Sequence, residues 1–332
     1  SIFVINAGSS SLKFGLFDAD TCETAASGLI DWGGDSRRAD MVISLQDTEP
    51  VRSQIDVPDH RAAVAHAVDS LVDMKLVARE KPAFTVIGHR VVHGGATFRD
   101  SIRINADVKA EIARLAELAP LHNPPALQAI EAAEDALPGV PQVAVFDTAF
   151  FSQLPPSAYI YPLPYQWYED WGIRRFGFHG ISHAYCANRA AEMLRRDSDR
   201  LRIVSCHLGN GCSATAIRDG VALATTMGFT PMDGLMMGTR SGAVDPGILL
   251  HIEQRRGLTA EQLDHALNQA SGLLGVSGIS SDFRQVEAAA EQGHERARLA
   301  IEIYAERVRA TVGALAVTLG GVDALVFTAG VG

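Results

Sequence analysis

Cysteine is scarce in this chain, and Cys22, Cys186, Cys206 and Cys212 form no CxxC pair. That speaks against a zinc ribbon or a redox dithiol and fits a reducing cytoplasm. Basic charge is short as well: 29 Lys and Arg against 39 Asp and Glu leave a formal net charge of -10. The broad cationic surface of a nucleic-acid or anionic-membrane binder is therefore missing, and any phosphate site has to be a local pocket. The first apolar run has no basic leader, so a secretory signal is not expected. The apolar stretch ATVGALAVTLGGVDALVFTAG (310–330) is broken by Gly320, Gly321 and Asp323 and reads as helix, turn and strand rather than as a membrane span. Neither GxxxxGK(S/T) nor HRD or DFG occurs, which removes the Walker-type loop and the protein-kinase fold. His207 beside Cys206 does not suggest a metal pair, because adjacent strand residues point to opposite faces.

What is present is a core. At 332 residues and 47% hydrophobic, two domains are the expectation. Short β-branched runs predict strands at Ile2 to Ile5 and Lys13 to Phe17, and a third near Met41 to Leu45. A helix follows from about Pro58, with Asp59 as cap and Val64, Val68 and Leu71 on one face. Further on come a strand at Phe84 to Gly88, helices at Ala106 to Leu118 and Pro125 to Leu137, and a strand at Gln142 to Phe146. Late in the chain, Ile301, Tyr304, Val308, Val312 and Leu315 keep a helical stripe that stops at Gly320.

The grammar repeats. IFVINAGSSSLKFGLFDAD near the start and LRIVSCHLGNGCSATAIRDG in the second half each read as apolar strand, Gly-containing polar turn, second strand and Asp-bearing turn. This predicts an α/β protein of two duplicated lobes, each a mixed sheet with helices, facing across a cleft where ligands bind. The boundary falls near Thr148 to Pro155, giving lobes 1–148 and 149–332. The turn Asn6-Ala7-Gly8-Ser9-Ser10-Ser11 carries more polar equipment than a hairpin requires, and exposed N–H groups, hydroxyls and a lysine suit a phosphate cradle.

Several other segments are richer in Gly, His, Arg and Asn than folding alone asks: GHRVVHGG (88–95), PLHNPP (120–125), VFDTAFF (145–151), FGFHGISH (176–183), CHLGNGCS (206–213), MGFTPMDGLMMGTRSGAVDPG (227–247), GVSGISSDFR (275–284) and FTAGVG (327–332). Singly, each histidine or arginine has an ordinary structural use, and the methionines at 227, 232, 236 and 237 read as core. Together with VINAGSSSLKF, and in this order, the set resembles the acetate kinase family, within the acetate and sugar kinase, chaperone ATPase and actin superfamily. The likeness runs from end to end.

The resemblance implies two ribonuclease-H-like lobes, each with a mixed five-stranded sheet, and reversible transfer of the ATP γ-phosphoryl group to acetate. It makes Arg90 and Arg240 the pair that holds carboxylate and phosphoryl oxygens, His179 a donor to the transferring group, His122 a support, and Asp147 an orienter of a reactant or of the metal's water shell. Asn6 would belong to a Mg²⁺ site, with Mn²⁺ as the alternative ion, and Ser9, Ser11 and Lys13 would line the first phosphate turn. His207, Gly209, Asn210 and Gly211 would face the nucleotide phosphates, and Asp282, Phe283, Arg284 and Gly330 the adenosine. Val92, Leu121, Phe178 and Pro231 would form the acyl pocket, where one methylene discriminates by only about 1–3 kcal/mol. A cytoplasmic homodimer without nucleic-acid or membrane partners is implied too. A second metal ligand, a glutamate, is expected beyond residue 332. Ala126 and Asp233 depart from the family's usual Asn and Glu. Alternatives are a propionate or other short-chain acyl kinase and, in another class, a catalytically silent actin-like nucleotide-binding protein.

Overall fold

The computed structural model describes residues 1–33, 38–46, 48–78 and 84–332. By internal contacts the chain divides into Ser1–Ala149 and Phe150–Gly332.

In the first unit the strands are β1 (Ile2–Ala7), β2 (Ser11–Phe17), β3 (Thr24–Asp31), β4 (Arg38–Leu45), β5 (Val51–Asp56), β6 (Val86–Val91), β7 (Ile102–Arg103) and β8 (Gln142–Phe146). They form one sheet in the order β5-β4-β3-β2-β1-β6-β8-β7. Strand β1 pairs antiparallel with β2 and parallel with β6, which pairs parallel with β8. Alternation sorts the side chains: Phe3, Ile5 and Ala7 are buried on one face, with Asn6 on the other. The buried face packs under α1 (His60–Asp73) and α3 (Asn123–Ala136), whose Val64, Ala67, Leu71, Ala129 and Ala133 join Phe3, Ile5 and Ile87 in the core. Asp59 caps α1 by accepting from the Ala62 N–H at 2.8 Å, as expected. Helix α2 (Ala106–Arg114) ends four residues short of the predicted Leu118, its last turn tightening to a 3-10 helix.

Two strand expectations are corrected, and β5 joins as a strand that was not expected. Met41 to Leu45 lies in the fourth strand; β3 precedes it, its small and polar TAASGLID hiding the strand pattern. Strand β5 is likewise mostly exposed and polar. The predicted Phe84 to Gly88 strand begins two residues later, aligned by pairing of Ile2 with Val86, so that Gly88, His89 and Arg90 lie inside it.

The second unit holds β9 (Arg202–Leu208), β10 (Cys212–Arg218), β11 (Val221–Thr225) and β12 (Ala324–Thr328) in the order β11-β10-β9-β12. Again the first strand pairs antiparallel with the second and parallel with the one that returns later. This is the pairing scheme of β3-β2-β1-β6, and it bears out the repeat. The sheets have eight and four strands among the described residues rather than five each. Helices are α4 (Pro156–Tyr159), α5 (Tyr165–Trp171), α6 (Gly180–Leu194), α7 (Pro246–Arg256), α8 (Ala260–Gln269), α9 (Gly272–Ser277), α10 (Phe283–Glu291) and α11 (Glu295–Leu319). Helix α11 stops at Gly320, whose φ of 70° is the left-handed C-terminal conformation. Among the described residues no helix is long and apolar enough to cross a membrane.

Pairing also sorts the two faces of the second sheet. Ser205 and His207 of β9 share a face with Ser213 and Thr215 of β10, and α6 covers it; Cys206 and Cys212 lie on the opposite face, where Cys212 meets Tyr304 of α11. The separation of Cys206 from His207 is as expected.

Candidate active site

At the carboxyl ends of the parallel strands β1, β6 and β8, where open α/β sheets bind ligands, three expected residues meet. Arg90 Nε donates to Asp147 Oδ1 at 3.0 Å, Nη2 to Oδ2 at 2.6 Å, and Nη1 to Asn6 Oδ1 at 3.2 Å. Asp147 is 1% exposed, and the Arg90 side chain 33%. Burial alone would lower the Arg90 pKa; the charge of Asp147 and its hydrogen bonds outweigh it and raise the group above its ordinary value. Five N–H bonds less the three used among the described residues leaves Arg90 two to offer a ligand. Both carboxylate oxygens of Asp147 are thus engaged by the Arg90 guanidinium. Among the described residues no cluster of three His, Cys, Asp or Glu side chains is placed to hold a metal. Asn6 and Asp147 are hard oxygen donors of the kind Mg²⁺ takes beside phosphate oxygens and water.

Lys13 stands opposite Asn6 in the β1–β2 register, exposed, with Ser11 on the same face. The turn is closed by the Gly8 N–H to Ser11 O bond at 2.7 Å. Two residues that the sequence did not single out prop it from outside. His60 Nε2 donates to the Gly8 carbonyl at 2.7 Å, and the Trp32 N–H to the Ser10 carbonyl at 3.1 Å, the two rings meeting edge to face at 5.0 Å. No local signal marks them, since His60 is 52 residues from Gly8. Nearby, Asn123 ties two motifs together: its Oδ1 accepts from the His93 N–H at 3.1 Å and its Nδ2 donates to the His93 carbonyl at 3.0 Å. This sets exposed Leu121 and half-buried His122 beside the segment that holds half-buried Val92.

In the second unit His179 precedes α6 with φ 60°, a left-handed conformation uncommon outside glycine and a frequent mark of function. Its Nδ1 lies 2.9 Å from Ser213 Oγ, and its ring is 4.2 Å from that of His207, whose Nδ1 meets Ser182 Oγ at 2.8 Å. Gly211 leaves room beside them. A Cβ there would sit 3.6 Å from His179 Nε2 and 3.7 Å from Arg240 Nη1, so the bare glycine keeps a gap between imidazole and guanidinium. Arg240 donates to the Pro231 carbonyl at 2.8 Å and contacts Met237 Sδ; among the described residues it has no carboxylate partner, and burial lowers its pKa. A half-buried cation without a counter-charge suits an anion.

Gly209 and Asn210 belong to the same turn. The Asn210 carbonyl accepts from the Gly238 N–H at 3.0 Å, the Cys212 thiol donates to the Gly209 carbonyl at 3.1 Å, and the Val331 N–H reaches the Leu208 carbonyl at 2.8 Å, which brings the exposed Gly330 turn alongside. Asp282 caps α10 and forks with Arg284 at 3.1 and 2.6 Å, while Phe283 packs on Tyr304 at 5.6 Å. Burial pushes the Cys206 thiol up to about 11, so it stays protonated. Phe178 is 1% exposed and Pro231 half-buried. Asp233 pairs with Arg175 at 3.1 Å; Arg175 also donates to the carbonyls of Thr226 and Met227, bracing the loop that holds Pro231.

Known proteins bear on this arrangement in three ways. The profile of the Acetokinase family matches residues 1–332. An acetate kinase of Cyanothece sp. is 50% identical over 100% of this chain and 83% of its own length, and a propionate kinase of Citrobacter rodentium is 52% identical over 100% and 81%. The crystal structure of Porphyromonas gingivalis acetate kinase superposes with a TM-score of 0.91 at 43% identity, covering 99% of this chain and 83% of that one. With motifs, backbone and whole-chain identity in agreement, the chain belongs to the acetokinase family.

Proposed function

We propose that the chain reversibly transfers the γ-phosphoryl group of ATP to acetate, giving acetyl phosphate and ADP by direct in-line transfer. The observation that carries the reading is the Arg90 fork, pinned by Asp147 and Asn6 with two N–H bonds unspent, in a member of this family. A carboxylate is ionised at neutral pH and needs no strong base. The difficulty is charge: nucleophile, transferring group and leaving group are all anionic, so catalysis lies in positioning and in donors around the equatorial oxygens.

In this reading Arg90 holds the carboxylate with His122 in support, and Val92 and Leu121 of the first unit and Phe178 and Pro231 of the second are the residues assigned to its acyl group. Arg240 and His179 Nε2 stabilise the transferring group. Lys13, His207, Gly209, Asn210 and Gly211 face the nucleotide phosphates, and Asp282, Phe283, Arg284 and Gly330 the adenosine. Mg²⁺, which Asn6 and Asp147 are chemically fit to help hold, supplies neutralisation of phosphate charge. The same reading makes the protein a cytoplasmic homodimer, the compartment resting on cysteine usage and the assembly on the family alone.

Propionate is the second reading, favoured by the 52% identity to a relative named for it. Incubation with ATP, Mg²⁺ and acetate, propionate or butyrate, with hydroxylamine to trap acyl phosphate, tests both. Fastest trapping with acetate is expected; fastest with propionate replaces the first reading by the second, and no product from any acid leaves a silent nucleotide-binding protein.

A further inference from the structure

One buried chain of side chains in the second unit leads to His179 Nδ1. Ser205 of β9 is 0% exposed, and its hydroxyl has a single side-chain partner among the described residues, His183 Nδ1 at 2.9 Å. His183, also 0% exposed, presents Nε2 to Ser213 Oγ at 2.8 Å, and Ser213, 0% exposed, presents the same oxygen to His179 Nδ1 at 2.9 Å. A serine hydroxyl has one hydrogen to donate, whereas its oxygen accepts twice.

The direction follows from the far end. Were Ser205 to accept from His183, its own O–H would be buried with nothing among the described residues to receive it, and an orphaned buried donor is costlier than an unused lone pair. Ser205 therefore donates, and His183 Nδ1 accepts. The ring proton of His183 then sits on Nε2 and is donated to Ser213 Oγ. Ser213 is left to spend its hydrogen on its other partner, His179 Nδ1. With Nδ1 accepting, the proton of neutral His179 is on Nε2, the nitrogen that with Arg240 Nη1 borders the gap over Gly211.

We infer that Ser213, His183 and Ser205 are positioning residues that hold His179 in its Nε2–H tautomer, so that a neutral imidazole donates to an anionic oxygen over Gly211. The opposite direction would point a lone pair at that oxygen. The inference rests on the reading of His179 as a phosphoryl donor, and deepens it. None of the three residues is needed as a ligand. They act through His179, much as a carboxylate acts through the histidine it orients in a serine hydrolase.

Two measurements on the full chain test this. The first is the nitrogen spectrum of the ¹⁵N-histidine-labelled protein near pH 7.5, with the His179 signals assigned by their loss in His179→Gln. Protonated Nε2 and unprotonated Nδ1 are expected in the wild type; the Nδ1–H tautomer or an imidazolium would overturn the inference. This readout does not depend on turnover, so an inactive wild type would sink the proposed function and leave the tautomer question decided. The second is kinetic. Ser213→Ala is expected to lower kcat about 10- to 100-fold, the range for losing a partner that orients a metal-ligating histidine, with KM for nucleotide changed less than about threefold. Ser213→Thr, which restores the hydroxyl, should recover most of the loss. Ser205→Ala, which touches neither His179 nor the gap, should also lower kcat, by a smaller factor, and give His179 a mixed-tautomer spectrum. A folded Ser213→Ala protein with kcat within twofold of wild type, or a Ser205→Ala protein with an unchanged His179 spectrum, would overturn the proposal.

Discussion

Asp147 grips Arg90 with both oxygens, Oδ1 to Nε and Oδ2 to Nη2, the two-pronged match that a planar guanidinium offers a carboxylate. A lysine could keep the charge and lose the plane. Arg90→Lys is therefore expected to lower kcat/KM for the carboxylate by about 100-fold or more, and Asp147→Asn, which keeps one acceptor, by less. Steady-state kinetics with varied carboxylate checks this; an Arg90→Lys enzyme within tenfold of wild type would show that charge suffices.

Arg240 makes the opposite bargain, with a backbone carbonyl and a thioether in place of a carboxylate. Arg240→Ala removes a cation whose burial is unfavourable in isolation. Turnover should fall about 100- to 1,000-fold while the melting temperature stays level or rises. Calorimetry beside activity separates this from a structural arginine, whose loss would lower both.

His60 should behave as a prop. His60→Phe keeps an aromatic ring against Trp32 and deletes the bond to the Gly8 carbonyl, a loss of about 1 kcal/mol net. Faster amide exchange across Ser9 to Leu12, with a several-fold rise in KM for nucleotide, is the expected result. Unchanged exchange in that turn would mean that β1 and β2 hold it unaided.

Gly28 of β3 lies opposite Phe14, and a Cβ there would overlap the ring. Gly28→Ala should destabilise by about 1–3 kcal/mol through overpacking, seen as a lowered denaturant midpoint with kcat of the folded fraction intact. A neutral substitution would mean that Phe14 moves aside freely.

Acid should weaken the first unit. Burial depresses both His89 and His93 to about 4 from an ordinary 6.5. Between those values the unfolded chain binds more protons, so this stability is fully present above about pH 6.5 and is lost as pH falls toward 4, on the order of 3 kcal/mol per histidine. Denaturant unfolding at pH 7, 6, 5 and 4 should show that slope, and His89→Gln should flatten it whatever it does to the absolute stability. An equal slope in the variant would assign the acid sensitivity elsewhere.

Much of this was legible along the chain, and unevenly so. Strand β1 and the turn after it could be read because apolar alternation ends at a run of small polar residues, and Asp59 could be named as a cap from one helix start. The acids and bases that meet in space were nameable only as motif members; that Asp147 serves Arg90 is a fact about neighbouring strands in a parallel sheet, 57 residues apart. Ser213 and His60 escaped for the same reason. Strands β3 and β5 escaped for another: their side chains are small or exposed, and their place is fixed by ladders to β2 and β4 rather than by a buried face.

The one-to-one ladder between Asn6 and Lys13, with Ser11 a step of two away, sets a rule of inheritance for this hairpin. A single codon gained or lost inside β2 would turn lysine and serine into the wall beneath the sheet and bring Leu12 and Phe14 out in their place. Descendants can lengthen the stretch at Ser9 and Ser10 one residue at a time, but between Ser11 and Phe14 a change of one residue needs a bulge to absorb it, as the ladder to β3 already shifts between Leu16 and Phe17.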